Sequence, residues 1–326
     1  MTISAARRWL VIFPGALGDF VCFLPTLEFL RQGNEVDLLA HSEFADLVPA
    51  TVKIGSLERY EIRRLFVPGS AREKRLRDFF SSYSSIFSWS GHGQSTFVQE
   101  LNELSKGRAF VFPFQPEVKL HQHQSKYYFS CIGEHSCEPR RVEIPLKPEA
   151  VAWSERYWQQ NFLIGKRVVA LAPGSGAQEK NWPAAFFLAV AQWWRRQNSG
   201  SVLAILGPAE EEKGDYAALC QEAVVARNLN LGQLCALLQR ADLYLGNDGG
   251  VSHLAAALGV VTAVLFGPSN VTRWAPLGKN VTVFTRGTEC SPCEVSVMKC
   301  CPHRKCLTTL EPGYVISKLA RLVTSP

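Results

Sequence analysis

The sequence predicts an α/β protein made of two doubly wound domains, and three observations carry that expectation. Short apolar runs alternate with helix-period segments along most of the chain, the pattern of parallel sheets covered by helices on both faces. At 326 residues the chain is long for one hydrophobic core, so two domains of roughly 150 residues each are the ordinary outcome. Glycine-bearing turns close three of the apolar runs, and open parallel sheets hold their ligands beyond such strand ends.

The elements follow in order. Trp9–Phe13 reads as a buried first strand, followed by a tight turn through Gly15 and Gly18 and a helix from about Asp19 to Arg31. Val36–Ala40 is the second strand, with Ser42 capping a short helix after it. The alternation continues, more faintly, through Leu65–Val67, Ile86–Trp89 and Ala109–Phe112. Pro139, Pro145 and Pro148 punctuate the middle of the chain, and a helical segment runs from Ala150 to about Asn161. A second unit then has strands at Val168–Ala172, Val202–Leu206, Leu243–Gly246 and Thr262–Phe266. Its helices are expected at Pro183–Arg196, Glu210–Ala226, Leu231–Arg240 and His253–Leu258. Pro312–Val323 has the pattern of a closing amphipathic helix. The expected division is therefore 1–160, 161–311 and a terminal helix over 312–326, with the two domains facing each other across a cleft.

Composition narrows the class. With 47% hydrophobic and 20% charged residues, the chain is globular rather than disordered. A formal net charge of +6 favours an anionic partner, which nucleic acid, phosphorylated small molecules and an acidic membrane surface all satisfy. No apolar stretch reaches the roughly 18 to 20 residues that span a bilayer. Arg7 and Arg8 precede an apolar run, but Pro14-Gly15 break it too early for a secretion signal. A cytoplasmic location is expected, with the ten cysteines mostly thiols or metal ligands.

Three turns could carry chemistry. In Gly15-Ala16-Leu17-Gly18-Asp19, glycine lets backbone approach a ligand and Asp19 lies where it can point into a crevice; the plainer reading is that Asp19 caps its helix. The spacing is not that of the dinucleotide fingerprint. In Pro173-Gly174-Ser175-Gly176, followed by Lys180-Asn181-Trp182-Pro183, small residues expose N–H groups, Ser175 offers a hydroxyl and Lys180 a point charge. A surface loop with a solvated lysine fits equally. In Gly246-Asn247-Asp248-Gly249-Gly250-Val251-Ser252-His253, a strand runs into a helix whose amino end suits a diphosphate. Asp248 there caps the helix, orients the loop or accepts a sugar hydroxyl; His253 is structural or a ligand contact.

Together these segments resemble the ADP-heptose:lipopolysaccharide heptosyltransferase family, glycosyltransferase family 9, whose members have the GT-B fold of two Rossmann-like domains. The resemblance rests on Gly18-Asp19 with Leu24-Pro25, on His121–Gly133 with Tyr128, and on Pro173–Gly176 with Lys180-x-Trp182-Pro183. It rests most on Asn247-Asp248-Gly249-Gly250-x-Ser252-His253-Leu254-Ala255-Ala256-Ala257-Leu258-Gly259, followed by Phe266-Gly267-Pro268. It is strong from Val168 to Pro268 and weak from Glu35 to Lys119.

By this resemblance Asp19 is the general base for an acceptor hydroxyl, with Gly18 beside it on the acceptor side. Lys180 joins it as a catalytic residue that steadies the departing diphosphate. Ser175, Gly176, Lys180, Gly249, Gly250 and Ser252 are expected to contact the donor diphosphate, and Asp248 and His253 to sit at the sugar-nucleotide site. The implied reaction is inverting transfer of heptose from ADP-heptose to the inner core of lipopolysaccharide, with no cofactor or metal required. The implied acceptor is lipid A bearing inner-core sugars, met at the cytoplasmic face of the inner membrane; nucleic acid is not expected. Gly249 stands where the family usually has serine or threonine, and Asn270 where aspartate is common, which bears on the donated sugar. Rival readings are a GT-B enzyme with another nucleotide sugar or a protein acceptor, a nucleotide-sugar epimerase, and a silent nucleotide-binding module.

Two further segments stand apart. Cys290-x-x-Cys293, Cys300-Cys301, His303 and Cys306 fall within 17 residues, a spacing that suits either tetrahedral zinc or plain thiols. Between Arg59 and Arg77 lie seven Lys/Arg and two Glu, either a solvated helix face or a docking surface for an acidic lipid.

Overall fold

The computed structural model describes residues 7–116, 121–134, 142–207, 210 and 216–324. The chain divides into two units, Met1–Pro145 and Leu146–Pro326. In the first, β1 (Arg7–Ile12), α1 (Leu17–Leu30), β2 (Asn34–Ala40), β3 (Lys53–Ser56), α2 (Tyr60–Arg64), α3 (Lys74–Ser81), β4 (Ser85–Ser88), α4 (Ser95–Ser105), β5 (Ala109–Val111) and α5 (Gln124–Cys131) follow one another. In the second the order is α6 (Pro148–Gln160), β6 (Val168–Ala172), α7 (Ala184–Asn198), β7 (Ser201–Leu206), α8 (Ala217–Gln221), β8 (Val224–Arg227), α9 (Leu231–Gln239), β9 (Leu243–Asn247), α10 (Gly250–Leu258), β10 (Thr262–Leu265), α11 (Val271–Trp274), β11 (Val281–Phe284), α12 (Val295–Cys300), α13 (Lys305–Thr308) and α14 (Pro312–Thr324).

Among the described residues each unit holds one parallel sheet, ordered β3-β2-β1-β4-β5 in the first and β11-β10-β9-β6-β7-β8 in the second. Both orders start in the middle and reverse direction there. The reversal opens a crevice beyond the carboxyl ends of two adjacent central strands, β1 with β4 and β6 with β9. The central strands bury their apolar residues because helices cover both faces: all five residues of β6 are buried. In the second unit they pack against Trp182, Phe187 and Trp194, each fully buried side chain contributing roughly 2 kcal/mol of transfer free energy.

Several expectations need correction. Leu65–Val67 is not a strand: Leu65 closes α2 and points inward at 0% exposure, while the third strand is the upstream Lys53–Ser56. The helix expected over Glu210–Ala226 ends at Gln221, because Val224–Arg227 pairs with β7 as the outermost strand; residues 211–215 of it lie outside the described set, as does Pro139. Ser42 does not cap the short 3-10 turn it opens; His41 precedes that turn, without a side-chain cap. The division between the units falls at Pro145, not at residue 160. Helix α6 goes with the second unit because Tyr157 donates to the Val225 carbonyl and Arg240 lies over the Trp158 ring. The closing helix α14 packs on α7 with Val315 and Leu319 fully buried, so it is part of that unit too.

Candidate active site

In the second unit, the parallel register sets Ala172 of β6 beside Gly246 of β9. The two loops that follow these strands therefore leave the sheet side by side. Asn247 ties them together: its amide donates to the Pro173 carbonyl at 2.6 Å and its oxygen accepts from the Trp182 backbone at 2.9 Å. Trp182 is buried, and its indole donates to the Leu310 carbonyl at 2.7 Å. The loop carrying Lys180 is thus anchored just behind that lysine.

Lys180 Nζ lies 2.8 Å from Asp248 Oδ2. Asp248 is nearly buried, at 6% side-chain exposure, while Lys180 keeps 27%. Asp248 does not cap α10; Gly249 occupies that position, without a side-chain cap. The carboxylate instead holds the ammonium beside the amino end of α10, whose first N–H groups have no partner within the helix. Gly249 has extended backbone, and Ser175 Cβ lies 3.4 Å from where its own Cβ would be. Ser175 Oγ sits 2.7 Å from both the Ala177 carbonyl and Asn181 Oδ1, so its proton is used within the loop.

Ser252 is placed differently from the expectation. It is fully buried, donates to the Asn247 carbonyl at 2.6 Å and meets Tyr244 Oη at 3.0 Å. Its hydroxyl fastens the turn and cannot reach a ligand. His253 is buried at 4% exposure within α10. Gly176 lies on the loop after β6 with open space around it, and Gly250 is the first residue of α10. Glu210 is not among the residues expected from the sequence: its carboxylate accepts from the Gly207 N–H at 2.8 Å and crowds Gly174, where any Cβ would strike it. An acidic residue just beyond the second strand of a doubly wound unit was the available signal.

In the first unit, Asp19 lies in the first turn of α1, at the end of β1. The cap position belongs to Ala16, so Asp19 is not the helix cap. A Cβ on Gly15 would fall 2.5 Å from the Phe13 ring and 2.7 Å from Asp19 Cβ; glycine is required for this close turn. Tyr128 Oη stands 3.4 Å from Asp19 Oδ1. A cavity of about 390 Å³ opens at the same end of the sheet, lined by Pro14, Ser90, Leu57, Ile62, Arg63 and Phe66, with Glu58.

The basic segment is largely paired. Arg59 and Arg75 both bind Glu61, Arg64 binds Glu73 and Lys74 binds Asp78. In the cysteine segment, Cys293 N–H donates to the Pro268 carbonyl and Cys306 is buried. Among the described residues no group of three His, Cys, Asp or Glu is arranged to hold a metal ion. Asn270, in place of the common aspartate, caps α11 by accepting from the Arg273 N–H.

Two doubly wound parallel sheets, one carrying a lysine and a helix amino end at its switch point and the other a carboxylate, are the parts of which a GT-B glycosyltransferase is made. The chain belongs to glycosyltransferase family 9, the heptosyltransferases, whose model matches residues 134–302. It is 30% identical to lipooligosaccharide heptosyltransferase 2 of Campylobacter jejuni, over 69% of this chain and 78% of that one. Its fold matches a glycosyl transferase family 9 structure from Veillonella parvula with a TM-score of 0.76, at 17% identity and 97% coverage of both chains. It also matches the ADP-heptose lps heptosyltransferase II of E. coli with a TM-score of 0.72, at 16% identity, covering 97% of this chain and 98% of that one.

Proposed function

We propose that the enzyme transfers heptose from ADP-heptose to the inner core of a lipopolysaccharide precursor, with inversion at the anomeric carbon. The observation that carries this reading is the Lys180–Asp248 pair at the amino end of α10. A diphosphate settling there meets an ammonium, helix N–H groups and the small residues Gly176, Gly249 and Gly250. Asp248 keeps the local charge near neutral until the donor arrives, then either shares Lys180 or accepts a sugar hydroxyl. We assign Glu210, beyond β7, as the acceptor for a ribose hydroxyl, with its contacts to Gly207 and Gly174 holding it at the strand end.

Asp19 takes the proton of the acceptor hydroxyl as that oxygen attacks the anomeric carbon. A carboxylate is a weak base, so proton transfer accompanies bond formation. The anomeric carbon–oxygen bond breaks as the new one forms, and the electron pair leaves on the diphosphate. Lys180 and the helix amino end stabilise that charge, which is why no metal is required. The cavity beside Pro14, with the exposed Arg63, supports an anionic acceptor held by the first unit.

No helix of the described residues is long and apolar enough to cross a membrane. We place the enzyme in the cytoplasm with peripheral contact to the inner leaflet, supported by Arg63 and Arg72, which make no ion pair among the described residues, and by exposed Phe66 and Val67. Calorimetric titration with ADP-heptose, UDP-sugars and GDP-sugars tests the donor. Preference for ADP-heptose is expected; equal or tighter binding of another nucleotide sugar overturns it. Vesicle binding that weakens with salt tests the membrane contact.

A further inference from the structure

Tyr128 lies on α5, which packs against α1. Its side chain is fully buried, so it cannot touch a substrate. The ring is fixed by other rings: edge-on to Phe13 at 5.3 Å, to Phe23 at 5.7 Å and to Trp89 at 6.3 Å, and tilted against Phe114 at 6.1 Å. The hydroxyl stands 3.4 Å from Asp19 Oδ1, with Gln124 as its second hydrogen-bonding neighbour. The same Phe13 ring presses on Gly15, whose missing Cβ leaves room for Asp19. The aromatic cluster therefore fixes both the turn that carries the carboxylate and the donor that faces it.

We propose that Tyr128 is a positioning residue for Asp19: its phenol donates to Oδ1 and turns Oδ2 toward the acceptor hydroxyl. The inference rests on the reading of Asp19 as the base. A distance of 3.4 Å is long for a hydroxyl donor, as catalytic hydrogen bonds often are before the substrate is bound. Burial first, and then the neighbouring Asp19 carboxylate, push the Tyr128 phenol well above its ordinary range, while Gln124 works the other way. The hydroxyl therefore stays protonated and a donor throughout the working pH range. Holding one carboxylate oxygen confines the other to a single orientation, and small misplacements of a reacting group are costly in rate.

The test uses the full chain, with ADP-heptose as donor and lipid A bearing inner-core sugars as acceptor. Tyr128→Phe keeps the ring and removes only the donor. It is expected to lower kcat about tenfold while both KM values and the melting temperature stay close to the parent. Replacing Tyr128 with 3-fluorotyrosine, which keeps the hydroxyl, is expected to restore kcat. An unchanged kcat in Tyr128→Phe overturns the proposal, and so does a loss that the fluorinated residue fails to restore. If Tyr128→Phe does not fold, the fluorinated protein decides alone: a more acidic phenol is a stronger donor, so kcat at or above the parent supports the proposal and a drop overturns it. Asp19→Asn, run in parallel, separates the two readings. Full activity there removes Asp19 as the base; an inactive Asp19→Asn beside a fully active Tyr128→Phe removes only the role given to Tyr128.

Discussion

Lys180 reaches across 68 positions of sequence to place its ammonium 2.8 Å from the nearly buried carboxylate of Asp248. The pair joins the loop after β6 to the loop after β9 at the point where the strand order reverses. It supplies the cation of the proposed diphosphate site and tells what happens when either member is lost.

Lys180→Ala should raise the Kd for ADP-heptose about ten- to hundredfold, the weight of a charge-assisted hydrogen bond, as read by calorimetry. It should also lower the melting temperature, because Asp248 is left buried without its cation. The double variant Lys180→Ala/Asp248→Asn should recover the melting temperature but not the affinity. Unaltered affinity in the single variant would remove the diphosphate from this loop.

Asp19→Ala should depress transfer by about 100-fold or more while ADP binds as before. The residue belongs to the first unit, and the residues proposed to hold the donor belong to the second. Parallel loss of turnover and ADP affinity would instead mark Asp19 as structural.

Two glycines at strand-to-helix turns should respond differently. Gly15→Ala drives a Cβ into the Phe13 ring and Asp19, and Phe13 is stacked on Phe23 at 4.2 Å and cannot retreat. A cost of about 1–3 kcal/mol in chemical denaturation is expected. Gly249→Ser meets only ordinary contacts in extended backbone and should stay within about 0.5 kcal/mol of the parent. Its effect should fall on the donor KM.

Glu61 gives the first unit an acid-sensitive tie. Burial opposes its charge, but hydrogen bonds from Arg59 and Arg75 prevail and hold the carboxyl down to about 2. A carboxyl lowered on folding stabilises fully above its unfolded value near 4.3 and loses that contribution as pH falls toward 2. Glu61→Gln should therefore cost about 2 kcal/mol at pH 7, and the gap to the parent should narrow between pH 4 and pH 2. A gap independent of pH in urea titrations would mean that the charge of Glu61 contributes nothing.

Short-range chemistry was legible in the sequence. A short apolar run bounded by a turn, such as Val168–Ala172, reads as a buried strand, and Gly249-Gly250 before an apolar helix announces a strand-to-helix turn. Two outer strands were not legible: Lys53–Ser56 is short and has no apolar run, and the apolar residues of Val224–Arg227 follow a helix-period segment without a break and read as its continuation. Ser252 was misplaced for a related reason. A serine in a glycine-rich turn looks available until Tyr244 and the Asn247 carbonyl close over it.

By itself, then, the sequence determined the two α/β units, the three turns and the residue types at each. Tertiary structure decided which of those residues meet. Asp248 faces Lys180 because β9 lies beside β6, and Tyr128 faces Asp19 because α5 packs on α1. Periodicity records only which side of an element is apolar. The choice of neighbour is made when strands from distant parts of the chain pair and bury their helices together.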